Sequence, residues 1–288
     1  MPVMRRTFLL GSLATLVAAC TPSLGTFNTL VPRDRGARRV AEAISYGDAP
    51  RQKLDIYSPT TRGDGLPVVI FIYGGSWASG ERSHYAFAGA ALAAQGFVTI
   101  IPDYRLVPEV RFPGFVEDCA AAVRWAQVHA ADYGGDPSRI VVVGHSAGAY
   151  NAIMLALDAR YLAAAGADIR ALRGVVGLAG PYDFLPFDVA ATRNAFGEAP
   201  EPQQTQPVTF ARRDAPPLLL LWGDGDTTVG PRNLHSMETA MREVGGAVES
   251  RIYPGVNHVD IMLALSRPLR GRADTLADVS AFVRRVTA

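Results

Sequence analysis

"VVVGHSAGAY", Val141 to Tyr150, passes from a β-branched run into a serine between two glycines, then into small helix-forming residues. The order is strand, sharp turn, helix. Gly144-His145-Ser146-Ala147-Gly148 fits the G-x-S-x-G pattern, in which a strained turn holds a serine hydroxyl up beyond a sheet. Glycines flank the serine because the turn is tight and the adjoining elements pack closely. A serine at such a turn could instead be a plain helix N-cap. The rest of the chain decides between the two.

Outward from this turn, the sequence repeats one pattern. "PVVIFIY" from Pro67, "FVTII" from Phe97, "RIVVVG" from Arg139, "GVVGLAG" from Gly174 and "PLLLLWG" from Pro217 are short apolar runs. Each is followed by a longer helix-like segment. Runs without polar alternation are expected of parallel strands covered on both faces. The predicted class is α/β, with a mostly parallel central sheet flanked by helices. "RQKLDIYSP" from Arg51 alternates and is expected to be an edge strand in an early hairpin. Residues 181–217 are polar and proline-rich in part, and are expected to leave the sheet as a short cap carrying Phe184, Phe187 and Phe196. Ligands of such sheets bind beyond the carboxyl ends of the strands.

A serine hydroxyl needs a base. In this architecture the order along the chain is Ser, Asp or Glu, then His. The chain has five histidines, of which His84 and His129 precede Ser146 and His145 adjoins it. His235 falls within a helix-like segment opened by Pro231. His258 lies in "YPGVNHVD", a loop directly after the strand-like "AVESRIY", and is the expected base. The acid should follow the preceding strand, in "GDGDTTV". Both Asp224 and Asp226 qualify there. Asp226 is favoured, because Asp224 sits between glycines, where a turn explains it.

The bulk properties restrict the field further. A formal charge of +1 over 288 residues gives no electrostatic reason to expect nucleic acid. Two cysteines, Cys20 and Cys119, exclude a disulfide scaffold, and no ligand spacing suggests a metal or other cofactor. Cys119 is expected on the buried face of a helix in "FVEDCAAAVRWA". At the N-terminus, Arg5 and Arg6 precede an apolar run from Phe8 to Ala19, as in an export signal over residues 1–19. The Arg-Arg pair resembles a twin-arginine signal. "VAAC" resembles a bacterial lipobox, which implies lipidation of Cys20 and an exported, membrane-anchored protein. Residues 20–39 are expected to be a tether, and residues 40–288 the folded domain.

From about Leu54 onward the chain resembles the α/β-hydrolase fold. It is similar to the hormone-sensitive-lipase-like carboxylesterases and the feruloyl-esterase/kynurenine-formamidase-like group. "YGGSW" (Tyr73–Trp77), "PDYRLVPEVRFPGFVED" (Pro102–Asp118) and "GHSAGAY" carry the likeness, and "GDGDTTV" and "GVNH" resemble the acid and histidine loops. The resemblance implies a serine hydrolase of small carboxylic esters with Ser146, Asp226 and His258 as its triad. It places oxyanion donors at the backbone N–H groups of Gly75, Ser76 and Ala147, with Gly74 giving the loop room to turn. Tyr73 departs from the group's usual histidine. An aryl-formamide hydrolase is the alternative within the same chemistry. An inactive surface binding protein is the alternative outside it.

Overall fold

In a computed structural model describing residues 23–61 and 63–288, the apolar runs become strands of one eight-stranded sheet. The strands are β1 (Ala37–Ser45), β2 (Lys53–Pro59), β3 (Leu66–Ile72), β4 (Val98–Pro102), β5 (Gly135–His145), β6 (Leu172–Leu178), β7 (Leu218–Gly223) and β8 (Val248–Tyr253). Their order is β1-β2-β4-β3-β5-β6-β7-β8. β3 to β8 run parallel, whereas β2 is antiparallel to both of its neighbours. The apolar runs of the central strands are buried without interruption, Val68–Ile72 in β3, all of β4 and Ile140–His145 in β5, as expected of strands covered on both faces.

The helices are α1 (Leu24–Leu30), α2 (Ala86–Ala93), α3 (Gly114–His129), α4 (Ala147–Leu157), α5 (Ala159–Ala164), α6 (Ala190–Phe196), α7 (Arg232–Glu243), α8 (Asp260–Leu263) and α9 (Thr275–Val286). Every residue of α2 and α4 is buried, so neither helix carries a polar face. β3 leads through α2 to β4 on one side, and β4 leads through α3 to β5 on the other. The strand order therefore reverses at β3, where a crevice opens beyond the strand ends. Ile72 of β3 lies level with Gly144 of β5, so Gly74 and Ser146 emerge side by side.

Two expectations are corrected here. β2 is not an edge strand: the hairpin forms, but β1 takes the edge, and β2 is covered by β4 as well. Residues 20–39 are not a tether throughout. Residues 24–30 form α1, and β1 begins at Ala37. The apolar spacing of Leu24, Phe27 and Val31 explains the helix, since these side chains share one face. Phe27 meets Phe87 edge to face at 5.4 Å, and Asn28 donates to the Ser83 carbonyl at 2.8 Å. Residues 1–19 and Cys20 lie outside the described residues.

In the 181–217 excursion, Phe184 borders a cavity as expected, but Phe196 is buried in an aromatic cluster with Trp77, Phe115 and Tyr150. Cys119 is fully buried on α3.

Candidate active site

The turn after β5 gives Ser146 φ 54° and ψ −121°, a conformation that L-residues adopt only under constraint. That turn lifts the hydroxyl toward the loop following β8. His258 Nε2 lies 2.8 Å from Ser146 Oγ, and His258 Nδ1 lies 2.7 Å from Asp226 Oδ2. The other Asp226 oxygen accepts from the backbone N–H groups of Thr228 at 2.7 Å and Val229 at 2.9 Å. Burial alone would raise the Asp226 carboxyl. The hydrogen bonds from His258, Val229 and Thr228 outweigh it and hold the group below its ordinary value. An ionised carboxylate only accepts, so Nδ1 of His258 carries the proton. Nε2 is left with a lone pair facing the serine hydroxyl. This geometry can take a proton from Ser146.

Asp224 is exposed and elsewhere engaged. Its Oδ1 accepts from Gly255 N at 2.5 Å, fastening the β8–α8 loop to the loop after β7. His235 stands on α7, as its sequence context suggested.

The loop after β3 closes against the elbow. A Cβ on Gly74 would stand 2.8 Å from Ser146 Cβ, and Gly75 has φ +135° with Ser79 O 2.1 Å from where its Cβ would be. A side chain at Gly74 would push the loop away from Ser146, and one at Gly75 would collide with the loop's own backbone at Ser79. Gly75 and Ser76 border one cavity with Ser146, and Ser76 and Ala147 border a second. Ala147 opens α4, so its N–H has no acceptor within the helix. The Gly75 and Ser76 N–H groups donate to no backbone or side-chain acceptor among the described residues.

Three contributors to this site were not foreseen. His145 Nε2 meets the His258 carbonyl at 2.8 Å. A carbonyl only accepts, so Nε2 donates. Burial, reinforced by the neighbouring His258, pushes His145 down to about 3, and the ring stays neutral. Arg51 Nε donates to the Tyr104 carbonyl at 2.7 Å, while its Nη2 donates to the Tyr73 hydroxyl at 3.1 Å and to the Gly80 carbonyl. Asp103 accepts from the Tyr73 hydroxyl at 2.7 Å. Burial, with Asp103 beside it, keeps the Tyr73 phenol protonated. Its ring lies between Tyr85 and Tyr104, with centroids 5.1 and 5.0 Å away. Tyr73 thus anchors the start of the loop and Arg51 ties the loop's end to it. The tyrosine in "YGGSW" and the aspartate in "PDYR" were the only signals of this in the sequence.

Two cavities flank Ser146. One, about 370 Å³, is bordered by Trp77, Phe184, Pro186, Val189 and Thr192. The other, about 490 Å³, is bordered by Leu24, Tyr85, His145, His258, Val259 and Met262. A cavity of about 460 Å³ between Arg38, Ser58, Asp64 and Tyr133 contains none of the residues above.

The BD-FAE family model matches residues 54–241. The isoprenylcysteine alpha-carbonyl methylesterase ICME of Arabidopsis thaliana is 30% identical over 264 residues, covering 84% of this chain and 61% of its own length. Esterase LipC of Mycobacterium tuberculosis is 31% identical over 239 residues, covering 75% of this chain and 58% of its own length. The chain thus spans about six tenths of the curated relatives it matches. Among solved structures, esterase B of Lactobacillus rhamnosis superposes with a TM-score of 0.78 at 20% identity, covering 90% of each chain. The carboxylesterase EstE1, from a metagenomic library, gives 0.73 at 20% identity over 92% of this chain and 93% of its own. These likenesses establish the α/β-hydrolase fold.

Proposed function

Because the chain belongs to the BD-FAE family, we propose that it is a carboxylic ester hydrolase acting through an acyl-enzyme on Ser146. The observation that carries this reading is the unbroken chain from Ser146 Oγ through His258 to Asp226. The relatives named above, a methylesterase and an esterase, support the ester as substrate.

Ser146 Oγ attacks the ester carbonyl as its proton passes to His258 Nε2. The imidazolium that forms is stabilised by the ionised Asp226 at Nδ1. The carbonyl oxygen, now negative, takes hydrogen bonds from the free N–H groups of Gly75, Ser76 and Ala147. Collapse of the tetrahedral species breaks the bond to the alkoxy oxygen, which leaves as an alcohol with the proton from His258. Water then repeats the sequence on the acyl-enzyme, giving a carboxylic acid and free Ser146.

A fluorophosphonate probe and short-chain p-nitrophenyl esters test this. Wild-type protein should be labelled at Ser146 and turn over the esters, and Ser146→Ala should lose turnover by roughly 10⁶. Turnover retained in Ser146→Ala would remove the mechanism.

We further propose that residues 1–19 direct export and that Cys20 is lipidated, anchoring the protein at a membrane outside the cytoplasm. The Arg5-Arg6 pair, the apolar run to Ala19 and "VAAC" support this. Mass spectrometry of the mature N-terminus tests it, and an unmodified Cys20 would end it.

A further inference from the structure

We propose that the α1 side of the active-site cleft rests on an anionic bilayer, and that the cleft takes its ester from that membrane. The proposal rests on the membrane anchor at Cys20. Leu24 follows Cys20 by four residues, a span of at most ~14 Å when fully extended. Leu24 also borders the same cavity as Ser146 and His258. The anchor and the cleft are therefore held within one short reach of each other.

α1 is no free leash. Asn28 accepts from Phe87 N at 3.1 Å, donates to the Ser83 carbonyl, and is buried with Val31. A membrane near Cys20 is thus a membrane near the domain's own surface. An adjoining cavity of about 640 Å³ is walled by Leu24, Phe27, Val259 and Leu263 and is also bordered by His258. Val259 beside it is 48% exposed, and Leu30, one turn beyond Phe27 at the carboxyl end of α1, is 75% exposed, although both are large apolar side chains.

Charge gathers next to α1. Arg33 comes three residues after the end of α1, and Arg267 Nη1 donates to the Arg33 carbonyl at 3.5 Å. Asp34 pairs with Arg270 at 2.6 Å and Asp260 with Arg272 at 2.5 Å. Arg33 and Arg267 are exposed and have no carboxylate partner among the described residues. Exposed apolar side chains rimmed by free guanidinium groups suit the boundary between anionic headgroups and acyl chains. The substrate class that reaches Ser146 by this route is an ester carrying an apolar chain, presented from the bilayer.

The test uses the full-length chain bound to phosphatidylcholine vesicles containing one third phosphatidylglycerol, with nitroxide-labelled lipids as quenchers. A fluorophore is placed at Leu30→Cys or at Val128→Cys. Val128 lies at the carboxyl end of α3, which leads into the start of β5 at the end of the sheet opposite the cleft, and Cys119 is buried from the reagent. Quenching should be several-fold stronger at position 30. Equal or stronger quenching at position 128 would overturn the orientation. In Arg33→Glu/Arg267→Glu, turnover of vesicle-borne p-nitrophenyl palmitate should fall by about tenfold, with p-nitrophenyl acetate turnover unchanged. An unchanged palmitate rate would overturn the docking face. A full-length chain that fails to float with vesicles, or takes up label at Cys20, would remove the anchor and with it this proposal. Loss of fluorophosphonate labelling in wild-type protein would instead count against the esterase reading.

Discussion

The ring of His145 donates from Nε2 to the backbone carbonyl of His258, 2.8 Å away. The residue before the nucleophile thereby holds the backbone of the residue that serves it as base. His145 touches neither the serine hydroxyl nor the acid, so it is a positioning residue.

His145→Ala should lower kcat by about 10²-fold, the cost of a base displaced by roughly an ångström, with KM little changed. His145→Gln, which keeps a donor, should recover part of the rate. The same ring sets a stability profile. Its native value is about 3, against about 6.5 when unfolded, so below pH 6.5 the unfolded chain binds the extra proton. Stability is therefore lost as pH falls, by about 2 kcal/mol between pH 7 and pH 5 from this group alone. Urea unfolding at both pH values should show a smaller drop in His145→Gln than in wild type. Equal drops would exclude the linkage.

Asp226→Asn should cost on the order of 10⁴ in kcat, because the amide no longer fixes the proton on His258 Nδ1. Asp224→Asn should stay within about tenfold of wild type, since that side chain only braces a loop through a single backbone hydrogen bond. Steady-state rates on p-nitrophenyl acetate separate the two. Comparable losses in both variants would undo the choice of acid.

Tyr73→Phe keeps the stacked ring and removes the hydroxyl between Arg51 and Asp103. It should destabilise the fold by about 1–2 kcal/mol. It should also lower kcat by about tenfold with KM unchanged, because the loop bearing the Gly75 and Ser76 donors loses its anchor. Affinity for a boronic acid analogue should fall in parallel with kcat. A stability loss without a kcat loss would confine Tyr73 to the core.

The sheet was legible because its central strands are buried on both faces and must be apolar throughout, and "VVVGHSAGAY" places the turn among them. The acid loop and His258 were legible because strand ends are where chemistry can gather. The N-terminal helix was obscured by the charges around it: Leu24, Phe27 and Val31 supply its buried face, but "RDRGARR" dominates the composition. β2 was misplaced because alternation records polarity, not the presence of a second neighbour. Arg51 was invisible as a support because its partners lie at Tyr73, Gly80 and Tyr104, distant in sequence and adjacent only once the sheet is built.

Trp77 closes the loop that carries Gly75 and Ser76, and its ring lies 4.8 Å from Phe196 and 6.4 Å from Phe184 in the excursion. Its Nε1 donates to Asn151 on α4 at 3.2 Å. Selectivity and rate therefore share a single block of aromatic side chains. An engineer or an evolving lineage that enlarges the cavity of about 370 Å³ by trimming Phe184, which packs on both Trp77 and Phe196, also loosens the loop that carries Gly75 and Ser76. New substrate scope on this scaffold is more safely sought at Val189 and Thr192, which border the same cavity and are not aromatic members of that block.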